Sequence, residues 1–282
     1  MKKLCVSFSG GKTSAFMARW CQQNLSDQYE IRYVFANTGR EHEKTLEFVD
    51  RCDREWGLGV VWVEAQPVFG EREGSRHEIV SFASASRKGE PFERVIQKYG
   101  IPNKSYPHCT RELKLNPIRS LLLEWNWWGE HYMAVGIRAD EIDRMQANAR
   151  EKRIVYPLIA WHPMDKAAID RWWDRQPFQL EIASIHGNCV TCWKKSDRKL
   201  MTLAKHDSSL FSWDRRMESS YGLAGHNEDG TLRTFFRSNR SADDIIAASR
   251  EPFREWHEAR NEDLFADMDM PNGCAESCEV EW

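Results

Sequence analysis

The chain of 282 residues has no hydrophobic run long enough to cross a bilayer. Its richest stretch, Ser120-Leu121-Leu122-Leu123, is broken at Glu124, far short of the roughly 20 apolar residues a span requires. It also lacks an excess of either charge. The 40 Lys and Arg against 43 Asp and Glu leave a formal net charge of -3. That balance excludes a polycation coating nucleic acid by charge alone, and leaves local basic patches open. The first residues, Met1-Lys2-Lys3-Leu4-Cys5-Val6-Ser7-Phe8, carry neither a long apolar core nor a small-residue cleavage site. No signal peptide is therefore expected, no membrane partner either, and a cytoplasmic protein is the default. Internal repeats and low-complexity linkers are absent too. What is present is a foldable balance, 41% hydrophobic and 29% charged. The length suffices for one large α/β domain, or a domain with a smaller appendage.

The first 65 residues alternate strand and helix. Leu4–Ser7 reads as a strand, and Ser9-Gly10-Gly11-Lys12-Thr13-Ser14 as the turn leading into a helix over 15–24. Ile31–Phe35 is a second strand, 42–56 a second helix and Val60–Val63 a third strand. This rhythm predicts an α/β fold with a doubly wound, mostly parallel sheet. Residues 66–108 lose the rhythm and read as an insertion or lid with one short helix near 92–99. A helix is expected from 110 to about 125, restarted at Pro117. Strands are expected over 132–136 and 154–159, and helices over 165–175, 197–205 and 242–261. The division predicted is a nucleotide-binding domain over 1–185 and a smaller, mainly helical, cysteine-bearing portion over 186–282.

The turn Ser9–Ser14 lies between the first strand and the first helix. Its two glycines let backbone N–H groups approach an anion, and the helix N-terminus favours negative charge. Lys12 brings a mobile cation, while Ser9, Thr13 and Ser14 bring hydroxyl donors. Neither common glycine fingerprint is satisfied: the Walker-type loop needs Gly where this chain has Val6, and no Gly-x-Gly-x-x-Gly occurs. Strand-Ser-Gly-Gly-x-x-Ser-helix instead resembles the pyrophosphatase loop of the PP-loop ATP pyrophosphatases. Three further stretches resemble their phosphoadenosine phosphosulfate (PAPS) reductase-like branch: Phe35-Ala36-Asn37-Thr38-Gly39-Arg40-Glu41, Cys109-Thr110-Arg111-Glu112-Leu113-Lys114-Leu115-Asn116-Pro117, and Gly136-Ile137-Arg138-Ala139-Asp140-Glu141 with Arg144. They occur in order over roughly residues 4–195. One departure is Thr13, where many relatives carry Asp; the anion cradle survives it, whereas a carboxylate ligand for Mg²⁺ at that position is lost.

The resemblance implies cleavage of ATP between its α- and β-phosphates, or binding of PAPS, with Mg²⁺. Ser9, Gly10, Gly11, Lys12, Thr13 and Ser14 would hold the phosphates. Phe35, Asn37 and Thr38 would lie beside the adenosine at a strand's carboxyl end. Gly136, Arg138, Glu141 and Arg144 would form a second phosphate or sulfate clamp, Glu141 orienting Arg138 or Mg²⁺. Lys12, Cys109, Lys114 and Arg138 are the candidate catalytic residues. An exposed ion-pair set at the start of a helix is the plain alternative for Arg138, Glu141 and Arg144.

Eight cysteines divide by context. Cys5, Cys21 and Cys52 sit among apolar or helical residues and read as small buried hydrophobes. Cys189-Val190-Thr191-Cys192 is a C-x-x-C knuckle in a Gly-Asn turn, Cys274 and Cys278 form a second pair, and Cys109 sits in a Pro-His-Cys-Thr turn. Three or four of these thiolates suit an iron–sulfur cluster; Cys189, Cys192, Cys274 and Cys278 equally suit a structural Zn²⁺; a redox dithiol is the third possibility. The resemblance implies a 4Fe-4S cluster on Cys109, Cys189 and Cys192, with Cys274 and Cys278 as alternative or additional ligands.

Three functions are compatible with these residues. The first is ATP-dependent sulfur transfer onto a nucleic acid (tRNA or DNA) or another nucleotide-like acceptor, using a sulfur donor. The second is thioredoxin-dependent reduction of PAPS or adenylyl-sulfate to sulfite, with Cys274 or Cys278 as attacking thiol; the reductase's Glu-Cys-Gly-Ile-His tail and the Cys-Cys pair of cluster-bearing reductases are both missing. The third is a non-catalytic nucleotide- or nucleic-acid-binding accessory protein, and homo-oligomers fit any of these. Lys194, Lys195, Arg198, Lys199, Arg233, Arg237 and Arg240, with Phe235 and Phe236 between them, read either as a base-stacking basic face or as a charged face over two core aromatics.

Overall fold

A computed structural model describes residues 1–70, 73–225 and 230–257. The candidate ligands Cys274 and Cys278 lie outside the described residues. β1 (Lys2–Ser7) and β2 (Tyr29–Asn37) carry consecutive apolar residues, Leu4-Cys5-Val6 and Tyr33-Val34-Phe35-Ala36, that are buried on both faces. Leu4, Val6, Tyr33 and Phe35 belong to one core cluster, whereas Cys5, Val34 and Ala36 belong to another. A strand buried on both faces needs helices on both, and the parallel sheet follows. β3 (Val61–Pro67), β5 (His131–Ala134) and β6 (Ile154–Val155) complete the parallel part, and β4 (Ser75–Val80) pairs antiparallel with β3 at the edge. The order is β4-β3-β2-β1-β5-β6, with Val6 opposite Tyr33 on one side and Ala134 on the other. The chain moves outward from β1 to β3 and returns to place β5 on the other side of β1. That reversal makes a crevice beyond the carboxyl ends of β1 and β5, where such sheets bind ligands.

The helices are α1 (Lys12–Leu25), α2 (Glu43–Trp56), α3 (Glu90–Tyr99), α4 (Asn116–Glu124), α5 (Pro157–Ala160), α6 (Lys166–Trp173), α7 (Asp197–His206), α8 (Ser212–Tyr221) and α9 (Ala242–Ala248). One sheet face packs on α1, α2 and α6 through Phe16, Leu46, Val49, Ile169 and Trp173. The other packs on α4 through Ile118, Leu121 and Leu122. A third cluster joins Ala65, Phe92, Val95, Ile96 and Leu113 to Leu203, Phe211, Trp213, Phe235, Phe236 and Ile245. Cys5, Cys21 and Cys52 are fully buried, and burial pushes the thiols of Cys5 and Cys21 up to about 12. That is inert, small-hydrophobe behaviour.

Several elements differ from the sequence reading. Residues 66–108 contribute β4 to the sheet as well as α3. The strand expected over 154–159 stops at Val155, because Pro157 opens α5 with a ring suited to a helix's first position. The long last helix ends at Ala248. The restart at Pro117 is present as a π-helical turn, Arg111–Leu115, leading into α4. Among the described residues no helix is long and apolar enough to cross a membrane.

Candidate functional site

The turn after β1 is held from three sides. Gly10 has φ 84, and a Cβ there would stand 2.7 Å from Thr45 Cγ2 on α2, so only glycine lets the loop lie against that helix. Gly11 is the N-cap of α1. From behind, Trp173 Nε1 of α6 donates to the Lys12 carbonyl at 3.0 Å. Ser14 Oγ accepts from Ser9 N at 3.2 Å and Ser9 Oγ at 2.9 Å, and donates to the Gly11 carbonyl at 3.0 Å. The two serine hydroxyls thus close the loop on itself and thereby shape the backbone cradle. Lys12 Nζ donates to Gln179 Oε1 at 2.8 Å.

Across the crevice, the loop after β5 approaches this turn closely: a Cβ on Gly136 would lie 3.2 Å from Ser14 Cα. Arg138 is buried, with Nη1 3.4 Å from Thr13 Oγ1, Nε 3.0 Å from Asp140 Oδ1 and Nη2 3.4 Å from Glu141 Oε1. Glu141 also pairs with Arg144. The exposed-ion-pair alternative thus fails for Arg138 and Glu141, both only 6% exposed. Ser9–Ser14, Gly136, Arg138, Glu141 and Arg144 all line one cavity, together with Thr45, Lys166, Asp170 and Asn188. Lys166 and Asp170 lie on α6, a helix whose composition marked it only as structural.

The end of β2 does not enter this cavity. Phe35 is in the core, 4.7 Å edge-to-face from Trp62. Asn37 is fully buried and donates to Glu64 Oε1 at 2.6 Å and the Ser86 carbonyl at 2.9 Å, so it ties β2 to β3 and the loop beyond β4. Thr38 lines a second, neighbouring cavity. Its hydroxyl is 2.8 Å from Glu41 Oε2 and 3.4 Å from Cys189 Sγ.

That second cavity gathers Cys109, Cys189, Cys192, Lys114, Thr38, Arg40 and Asp214. The C-x-x-C turn is docked there by a bridge between Cys189 and Glu41, with Val190 N donating to the Arg40 carbonyl at 3.0 Å. Asn188 supplies the positive φ of 57 that turns the chain into it. Trp193 Nε1 donates to Cys109 Sγ at 3.4 Å, and Lys195 Nζ donates to the Val190 carbonyl at 2.6 Å. The donor set, three soft thiols facing one cavity, is of the type that iron–sulfur clusters and zinc take. Among the described residues no three His, Cys, Asp or Glu side chains converge as a metal-holding group.

Sequence reasoning missed Asp214, and gave no role to Arg40 within the Phe35–Glu41 stretch. Asp214 is buried and accepts from Thr191 Oγ1 at 2.8 Å, with Arg40 Nη2 at 3.5 Å. Desolvation pushes its carboxyl up to about 6 despite those partners. The two residues are separated by 174 positions, so no local pattern announces them. Of the two readings of the face around Phe235 and Phe236, the one that makes them core aromatics holds: both rings are buried in the third core cluster, and Lys195 and Arg233 are buried too.

The two cavities meet along one stretch of backbone. Gly187 and Asn188 line the first, and Cys189, the next residue, lines the second. Residues 3–99 match the phosphoadenosine phosphosulfate reductase domain family. The chain is 31% identical over 283 residues to the nin region protein ORF290 of Escherichia phage lambda, covering 98% of this chain and 94% of that protein. It is also 27% identical over 168 residues to protein MJ0066 of Methanocaldococcus jannaschii, which is 57% of this chain and 29% of that protein. Protein MJ0973 of the same organism is 23% identical over 168 residues, 34% of its own length.

Proposed function

Because the chain belongs to the PAPS reductase-like branch of the PP-loop ATP pyrophosphatases, and shares a family with the phage lambda protein along nearly its whole length, we propose that it is an enzyme coupling ATP cleavage to sulfur transfer. The observation that carries this reading is the junction at residues 187–189: an anion cradle and a three-thiol cavity share a wall, so a nucleotide-activated group and a sulfur atom can meet.

In this mechanism the backbone of Ser9–Ser14 and the N-terminus of α1 hold the β- and γ-phosphates, and Lys12, Arg138 and Arg144 neutralise charge that builds up as they leave. An oxygen of the acceptor attacks the α-phosphorus, a new O–P bond forms, and the bond from that phosphorus to the bridging oxygen breaks, releasing pyrophosphate. Sulfur at the hydrosulfide level, from a donor of the persulfide class plus a thiol reductant, then attacks the activated carbon and expels AMP with the oxygen. Lys114 and the buried Lys195 are the cations in and beside the thiol cavity that favour the thiolate form. A 4Fe-4S cluster, when bound, would supply a site for that sulfur, and Cys109, Cys189 and Cys192 are the residues that would hold it. The acceptor fits a nucleic-acid base or another nucleotide-like group.

The test is release of pyrophosphate from ATP, together with iron, zinc and sulfide analysis after anaerobic purification. Pyrophosphate release lost on Lys12→Ala, and about four irons per chain lost when Cys109, Cys189 and Cys192 are replaced, are the expected results. A colourless zinc protein removes the cluster, and sulfite released from PAPS without ATP turnover replaces the transfer reading with reduction.

A further inference from the structure

The cavity at the phosphate loop has two unlike ends. One is formed by the loop after β5 and the start of α6, which are joined where Ala139 N donates to the Met164 carbonyl at 2.9 Å. Apart from Lys12 of the loop itself, every ionisable side chain lining the cavity among the described residues belongs to this end: Arg138, Glu141, Arg144, Lys166 and Asp170. The other end is a strap, residues 179–188, laid along the first turn of α2. Lys12 Nζ holds its start through Gln179 at 2.8 Å, Lys44 lies 3.5 Å from Glu181, and the rings of His42 and His186 meet edge-to-face at 5.7 Å. Exposure alternates along the strap. Glu181 and Ala183 are exposed, whereas Leu180, Ile182 and Ser184 turn to the cavity, as in an extended chain. Asn188 and Thr45 complete this wall, and no charged side chain among the described residues belongs to it.

Thr45 marks this end as a place for a ligand. It is 4% exposed, and its Oγ1 meets no hydrogen-bond partner among the described residues. A helical threonine ordinarily directs that hydroxyl to a carbonyl one turn back, and a buried hydroxyl left unpaired is unfavourable. We infer that the uncharged end receives the nucleoside of the bound nucleotide. Thr45 Oγ1 pairs with its ribose or base, and Leu180 and Ile182 cover its apolar faces. A nucleotide has a polyanionic tail and an uncharged head, and the cavity offers cations at one end and neutral walls at the other. The order along the loop agrees. Gly10, at its start, lies against Thr45 Cγ2, whereas Thr13 and Ser14, at its end, adjoin Arg138 and Gly136. The end of β2 offers no such room, because Phe35 packs on Trp62 and Asn37 is bonded to Glu64 and Ser86. The nucleoside end rests on the phosphate cradle of the proposed function, and not on sulfur transfer.

The experiment titrates the full chain with ATP and with inorganic tripolyphosphate, which is the tail without the nucleoside, by calorimetry. Thr45→Val should weaken ATP about 3- to 10-fold, the scale of one neutral hydrogen bond. Ile182→Ala should weaken it about tenfold through lost apolar contact. Neither should change the affinity for tripolyphosphate, whereas Lys12→Ala should weaken both ligands. Thr45→Ser, which keeps the hydroxyl, should bind ATP within about twofold of the parent chain. Thermal melting of each variant reports the fold. Thr45→Val and Ile182→Ala proteins that bind ATP like the parent chain, or that lose ATP and tripolyphosphate equally, would overturn the nucleoside end. A parent chain that binds tripolyphosphate but not ATP overturns it while the cradle stands. If the parent chain binds neither, the cradle falls and the nucleoside end with it. Selective loss of ATP in the two variants, without pyrophosphate release by the parent chain, supports the nucleoside end and removes the transfer reading.

Discussion

Lys12 reaches Gln179 rather than a carboxylate, so its charge is not offset by an acidic partner there. A charge-assisted hydrogen bond to a phosphate is worth about 1.5–3 kcal/mol, and Lys12→Ala is therefore expected to weaken ATP about 10- to 100-fold by calorimetry. An unchanged affinity would show that the cradle is not a phosphate site. Gly10 makes a different demand. Its φ of 84 and the 2.7 Å approach to Thr45 Cγ2 penalise any side chain. Gly10→Ala should destabilise the fold by about 1–3 kcal/mol, read as a lower melting temperature. Asp214 can be read through pH. Its carboxyl ionises near 6 in the fold and near 4 when unfolded, so the native state binds the proton more tightly. The stability it contributes is present below pH 4 and is lost as pH rises towards 6, by about 3 kcal/mol. His108 acts in the opposite sense: burial lowers it to about 4, so stability is lost as pH falls from 6.5 towards 4. Glu218, pushed up to about 7 by burial, acts in the same sense as Asp214, so the readout is the difference between the parent chain and Asp214→Asn. The variant should gain stability relative to the parent on going from pH 4 to 6.5; parallel pH curves for the two proteins would refute the assignment.

Among elements, the strand-turn-helix units were legible because burial on both faces writes itself as continuous apolar runs, and because the Gly10-Gly11 turn has to be contiguous. β4 was not legible. An edge strand exposes half its residues, and Arg76, His77 and Glu78 in its middle carry the composition of a loop. Its partner's hydrogen bonds, not its own hydrophobicity, hold it in the sheet. α6 was visible as a helix but not as part of the site, since its contribution depends on where it packs. Trp173, fully buried, brings an indole N–H to the Lys12 carbonyl, which makes α6 the back wall of the phosphate loop. Trp173→Phe keeps most of the packing and removes that donor, leaving the Lys12 carbonyl only its bond within α1. It should cost about 0.5–1.5 kcal/mol of stability and also weaken ATP. A variant that melts lower but binds ATP unchanged would confine Trp173 to packing.

At the scale of the molecule, the site is assembled from segments that no local pattern connects. The cradle was readable because its residues are consecutive. The thiol cavity was readable only as a set of candidates: Cys109 and Cys189 are 80 positions apart, and Arg40, Thr191 and Asp214 meet through the fold alone. The same long-range closure governs stability. The third core cluster takes Phe92, Val95, Ile96 and Leu113 from before residue 185 and Leu203, Phe211, Trp213, Phe235 and Ile245 from after it. Each large apolar side chain returned to water costs about 1.5–3 kcal/mol, so exposing the first four alone approaches the 5–15 kcal/mol by which whole domains are stable. A fragment of residues 1–185, although it contains every strand of the sheet, is therefore expected to aggregate or to bind a hydrophobic dye without a cooperative melt. A chain ending at 257, which retains all the described residues of the cluster, is expected to melt cooperatively. Soluble 1–185 protein with a sharp transition would mean that the nucleotide-binding part stands alone and that the thiol cavity is added to it. Aggregation would mean that cradle and cavity form as one unit, as the shared wall at residues 187–189 requires.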